Sequence, residues 1–110
     1  MMKELFTLED IHTTLASQPL VVLVLKTQHC GVCEAVQSKV AAMLEPREHI
    51  TGIYAYMEHA PEAASAFMAL TSPVVLVFYE GKEVYRAARF VRMEELERAL
   101  KRYEEVMKLP

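Results

Sequence analysis

The stretch Leu20-Val-Val-Leu-Val-Leu-Lys-Thr-Gln-His-Cys30-Gly-Val-Cys33-Glu-Ala-Val36 decides how the rest of the chain is read. Leu20–Leu25 is apolar throughout and rich in valine, which predicts a strand buried on both faces. Thr27, Gln28 and His29 form a short polar loop. A helix follows from about Gly31 to Leu44, with Val32, Val36, Val40 and Leu44 as its apolar stripe and Pro46 marking its end. Cys33 falls on the Val36–Val40 face at helical spacing. The two cysteines therefore sit where a buried strand hands over to a helix, and Gly31 is expected to let the chain turn tightly between them.

That placement carries chemistry. A thiolate is the nucleophile in disulfide exchange. A helix N-terminus presents free N–H groups and a partial positive charge, which favour a thiolate. Cys30 precedes the first turn and is the candidate attacking sulfur; Cys33 is the candidate buried, resolving sulfur. Lowering a thiol pKa from about 8.5 to about 7 takes roughly 2 kcal/mol. A helix terminus supplies about 0.3–1 kcal/mol of that. The remainder has to come from hydrogen bonds or from a protonated His29, while the charge of Glu34 acts against it. These are the only two cysteines of 110 residues. A bridge this local adds little stability by constraining the unfolded chain, so the pair reads as chemical rather than as a staple.

Working outward, Thr7 with Asp10 three residues on marks a helix start, and Leu8, Ile11 and Leu15 form its stripe until Pro19 ends it. Ile50 to Met57 reads as a second strand. Pro61 opens a third helix, with Ala64, Phe67 and Met68 facing inward, broken by Thr71, Ser72 and Pro73. Val74–Tyr79 and Glu83 to Ala88 form an antiparallel hairpin around Glu80, Gly81 and Lys82. A last helix runs from about Met93 to Lys108 on a stripe of Met93, Leu96, Leu100, Tyr103 and Met107. Its outer face pairs Glu94 with Arg98, Glu97 with Lys101 and Glu104 with Lys108 at helical spacing. A helix between the first two strands implies a parallel crossover. The order predicts one α/β domain over residues 1–110: a mixed sheet of about four strands with helices on both faces.

Apolar residues make up 53% of the chain and charged residues 25%, the balance of a folded domain with a core of its own. The net charge of −3 gives no electrostatic case for nucleic acid or an anionic membrane. Leu20–Leu25 and Val74–Tyr79, the longest apolar runs, fall far short of the about 20 residues that span a bilayer. Met1 to Asp10 carries acids where a secretory signal would be apolar, which points to a cytoplasmic protein.

Other residues invite a functional reading. His29 adjoins Cys30 and could stabilise a thiolate or hand over a proton, or it is a solvated loop residue. Cys30, Cys33 and His29 are too few for a closed zinc site, and His12, His49 and His59 lie in other segments. A dimer sharing two cysteine pairs around zinc or an iron–sulfur cluster is the metal alternative. Lys26 and Tyr54 are candidate proton-handling groups, or simply the polar end of a strand and a packed aromatic. Arg86, Arg89 and Arg92 around Phe90 read as a solvated edge. The seven methionines fall mostly on core faces.

With these pieces in place, the chain resembles the thioredoxin family from about Phe6 to the last helix. The matching pieces are the strand Leu20–Leu25, then Cys30-Gly31-Val32-Cys33, then Ser72-Pro73-Val74 leading into Val-Leu-Val-Phe-Tyr-Glu-Gly-Lys-Glu-Val. The resemblance implies a thioredoxin-like fold in which Cys30 attacks and Cys33 resolves, the two forming a redox-active disulfide. It implies a cis proline at Pro73 opposite the pair, and a substrate groove formed by His29, Gly31, Val32, Ser72, Pro73 and Val74. It also departs from the family. His29-Cys30-Gly31-Val32-Cys33-Glu34 stands for Trp-Cys-Gly-Pro-Cys-Lys, and the chain has no tryptophan. The family's buried acid falls at Val24, its first strand looks truncated, and its later glycine is replaced near Ala88 or Arg89. The expectation is a divergent, monomeric thiol–disulfide oxidoreductase that reduces protein disulfides. It needs no bound cofactor or metal and draws electrons from a reductase or a small thiol. The alternatives are a binding or redox-sensing module with little turnover, and the metal-bridged dimer.

Overall fold

A computed structural model describes residues 2–107. Five strands form one sheet: β1 (Lys3–Glu4), β2 (Leu20–Lys26), β3 (Thr51–Tyr56), β4 (Val74–Tyr79) and β5 (Lys82–Ala88), in the order β1-β3-β2-β4-β5. β1 and β2 both run parallel to β3, while β4 runs antiparallel to β2 and β5. Four helices connect them: α1 (Leu8–Ser17), α2 (Gly31–Leu44), α3 (Pro61–Ala66) and α4 (Met93–Val106). The sheet therefore has five strands rather than about four. The added strand is β1, whose two residues pair with Ile53 and Tyr54 and are too short for any hydrophobic period to show.

Alternation along the strands sends side chains to two cores. Val21, Leu23 and Leu25 join Ile53, Leu76 and Phe78 under α1 and α3, whose Ile11, Leu15 and Ala63 are buried there. Leu20, Val22 and Val24 join Val75 and Val77 under α2 and α4, through Val36, Val40, Leu44, Leu96 and Leu100. β2 lies in the middle of the sheet with both faces covered, which is why its sequence is apolar without alternation.

Local chemistry sets the helix ends. The Thr7 hydroxyl accepts the Asp10 N–H at 3.1 Å and caps α1, one half of the expected capping box. α3 stops at Ala66, earlier than its stripe suggested. Met68 then takes a left-handed φ of 52°, and the Ala69 N–H bonds back to the Ala64 carbonyl at 2.8 Å. That closure turns Met68 out to 70% exposure, so it is not an inward-facing residue, whereas Ala64 and Phe67 do pack on the core. Val32 also leaves its predicted stripe and is 55% exposed. Cys33, Val36, Val40 and Leu44 fill the buried face of α2, and Val32 stands about 100° of helical rotation from Cys33.

Of the ion pairs the spacing of α4 suggested, one forms. Glu97 does meet Lys101 at 3.5 Å, but Glu94 and Arg98 are not paired in the structure, and Lys108 lies outside the described residues. Glu104 meets Arg47 and His49, and Glu97 also receives Arg47 at 2.6 Å. Arg47, just beyond α2, thus ties α2 to α4, its third bond going to the Met43 carbonyl. The Arg47 guanidinium holds the Glu97 carboxyl below the usual carboxylate range. A depressed folded pKa contributes stability above the unfolded value, and that contribution is lost as pH falls through the depressed one. Urea unfolding of Arg47→Ala should show a loss of about 1–2 kcal/mol at neutral pH. The loss should shrink as pH drops below the ordinary carboxylate range.

Candidate active site

The C-terminal end of β2, the N-terminus of α2 and the turn before β4 converge on the cysteine pair. Cys30 is the N-cap of α2, and its sulfur accepts the Cys33 N–H at 3.2 Å. The two are joined as a disulfide, with Cα atoms 5.3 Å apart. Cys33 is fully buried and Cys30 partly exposed, the asymmetry an attacking and a resolving sulfur require. Of the two, Cys30 is the residue solvent can reach, and its sulfur takes one of the N–H groups that a helix start leaves without an intrahelical partner.

The loop before the pair is pinned from three sides. The Thr27 hydroxyl shares a hydrogen bond of 2.9 Å with the Ser72 hydroxyl, which ties the cysteine loop to the turn before β4. The Gln28 N–H donates to the Glu58 carboxylate at 2.9 Å, and this bond holds the Glu58 carboxyl below its ordinary range. The Met57 N–H donates to the Lys26 carbonyl at 2.8 Å. The Ser72–Pro73 peptide is cis, as the resemblance implied, and the Pro73 carbonyl accepts the Arg89 N–H at 2.6 Å. Arg89 has φ 65°, a left-handed conformation that glycine adopts at least cost, at the place where the family carries its later glycine.

Two expected roles change. Gly31 is not the pivot between the cysteines. It is the first residue of α2 without a left-handed φ, and a Cβ built on it meets open space. The sharp turn is made two residues earlier by His29, at φ 57°. Gly31→Ala should therefore fold with the disulfide intact and gain about 0.4–1 kcal/mol by thermal or urea unfolding. Val74 is 1% exposed, in the core with Leu25 and Leu76, and its backbone faces both β2 and β5. Its side chain points into the core and not toward a groove. Pro73 is also buried, Ser72 is partly exposed, and His29, Gly31 and Val32 are exposed around Cys30.

A charged residue sits beneath this surface. Lys26 ends β2 at 2% exposure, its ammonium 2.8 Å from Glu34 and 4.6 Å from the ring centres of both Tyr54 and Tyr56. Burial pushes its pKa down, but the hydrogen bonds to Glu34 and Tyr56 outweigh it, so Lys26 remains a cation. Glu34 is thus not the bare negative charge its sequence position suggested. Alternation along β2 could have placed Lys26 on the Val24 side, under α2; nothing local announced its partners. Glu58 gave no signal either, because its bond to Gln28 spans 30 positions of sequence. Among the described residues no cluster of three or more His, Cys, Asp or Glu could hold a metal ion, and no helix is long and apolar enough to cross a membrane.

No protein-family model matches the chain. The thioredoxin-like protein YdfQ of Bacillus subtilis is 38% identical over 73 residues, which are 66% of this chain and 65% of that protein's length. Among solved structures, thioredoxin from Plasmodium falciparum superposes with a TM-score of 0.82 at 14% identity, covering 92% of this chain and 98% of that one. A mutant thioredoxin from Halobacterium salinarum gives 0.83 at 15% identity over 93% and 89%. Fasciola hepatica thioredoxin gives 0.77 at 24% identity over 92% and 98%. At these identities the superpositions speak for the fold.

Proposed function

We propose that this chain, which has the thioredoxin fold and resembles a thioredoxin-like protein over 73 residues, reduces protein disulfides as a member of that family, by dithiol–disulfide exchange through Cys30 and Cys33. The observation that carries this reading is the pair itself, an accessible sulfur capping α2 and bonded to a fully buried one. In the reduced protein the Cys30 thiolate attacks a substrate disulfide. A mixed disulfide forms, and the departing substrate thiolate takes up a proton. Cys33 then loses its proton and attacks the Cys30 sulfur, which releases the second substrate thiol and leaves the Cys30–Cys33 disulfide. A thiol reductant or a reductase returns two electrons and two protons. The protein needs no bound cofactor or metal for these steps.

The surface around Cys30, with His29, Val32, Ser72 and the Pro73 turn, would receive an extended segment of the substrate protein. Reduction is the direction favoured in a reducing compartment, and the reading is of a monomer working in the cytosol. Insulin disulfide reduction with dithiothreitol tests it: a rate above the uncatalysed background is expected. A rate equal to background, with the pair shown to be reduced, would leave a binding or sensing module.

A further inference from the structure

The mechanism above leaves one buried charge unused. Lys26 and Cys33 share the layer between β2 and α2. Lys26 follows Leu20, Val22 and Val24 on the face of β2 that carries α2, and Cys33 is the first buried residue of that helix. Glu34, next to Cys33, reaches back to the Lys26 ammonium at 2.8 Å. Tyr56 stands beside Lys26 in the β2–β3 register and Tyr54 beside Val24, so the ammonium lies over two aromatic rings on the same face. The Tyr56 hydroxyl also reaches Glu34, at 3.5 Å. The cation is therefore held in a built cradle four residues before Cys30.

We infer that Lys26 and Glu34 act as a pair of positioning residues that set the thiol–thiolate balance of Cys30 and Cys33, the inference resting on the dithiol role proposed above. Neither residue touches the reacting sulfurs as a donor or acceptor. Their action is through charge: the buried ammonium favours a thiolate nearby and the carboxylate disfavours it. The carboxylate is 58% exposed and screened by water, while the ammonium is 2% exposed, so the two do not cancel at the sulfurs. The titratable groups in contact with Lys26 and Glu34 are Tyr54 and Tyr56 on β3; His59 lies against the Tyr56 ring, and Glu58 binds the Gln28 N–H in the loop that also carries His29. All of them stay in place when only Lys26 and Glu34 are changed.

Opposite charges make opposite predictions. The test follows the Cys30 thiolate by its ultraviolet absorbance across pH in the reduced protein. It compares wild type, Lys26→Met, Glu34→Gln and the double variant. Lys26→Met keeps the volume of the side chain and should lower the thiolate fraction at neutral pH by roughly threefold to tenfold. Glu34→Gln keeps a hydrogen-bond acceptor for Lys26 and should raise that fraction. The double variant should lie between the two single ones. Shifts of the same sign in both single variants, or no shift in either, would overturn the inference, because loss of packing alone has no reason to move the titration in opposite directions. The titration is independent of turnover. A chain that fails to reduce insulin yet shows the opposite shifts loses the proposed function and keeps this inference; an active chain with unmoved titrations does the reverse.

Discussion

A Cys30→Ser chain is expected to reduce insulin no faster than dithiothreitol alone, a loss of about a hundredfold or more. Serine keeps the N-cap, since its hydroxyl can accept the Cys33 N–H that the sulfur accepts now, so α2 should hold its start. What disappears is the nucleophile: an alcohol at neutral pH offers almost no anion where a thiol offers a useful fraction. The bridge is lost as well, but it closes so short a loop that stability should barely change. Cys33→Ser has a different outcome. Cys30 can still attack, and no second thiol frees the product, so a covalent adduct with a substrate cysteine should accumulate and appear as added mass that dithiothreitol removes. Serine in that fully buried position costs about 1–3 kcal/mol, and the unfolding midpoint reports whether the variant remains folded. Equal insulin rates for wild type and Cys30→Ser would show that the exchange does not run through this sulfur.

The site was legible where its geometry is local. The apolar run Leu20–Leu25, the polar loop after it and the bounds Gly31–Leu44 of α2 follow from residue types a few positions apart, and they place Cys30 at the helix start with Cys33 on its buried face. The cis bond at Pro73 came from resemblance, not from spacing. Positions that depend on distant parts of the chain did not show. Glu104 pairs with Arg47 across 57 positions of sequence, a partner helical spacing has no way to name. Lys26 looked like the polar end of a strand because its carboxylate and its two aromatic rings come from α2 and β3. Met68 and Val32 failed for a simpler reason. A stripe carried past the end of α3, or to the margin of the buried arc of α2, assigns burial where the backbone has already turned away.

Leu23→Ala is expected to destabilise the fold by about 2–5 kcal/mol, a large part of the about 5–15 kcal/mol typical of a domain. Leu23 is fully buried at the middle of the central strand, beside Ile53 on β3 and Leu76 on β4, in the core under α1 and α3. Its truncation removes apolar contact and leaves a cavity that neighbours on three strands cannot easily collapse into. Urea unfolding should show a midpoint lower by about 1–3 M at a typical slope for a domain of this size. Leu70→Ala, at 95% exposure, should stay within about 0.5 kcal/mol of wild type and serves as the comparison. The same variant separates scaffold from site. Leu23 points to the face opposite α2, so the cysteine pair, the Lys26–Glu34 cradle and the loop pinned by Ser72 and Glu58 keep their own contacts while the chain is folded. Without urea the exchange rate should therefore stay close to wild type, and it should collapse at urea concentrations that wild type survives. A rate already lost without urea, in a chain shown to be folded, would mean that the face under α1 and α3 also shapes the chemistry on the other side of β2.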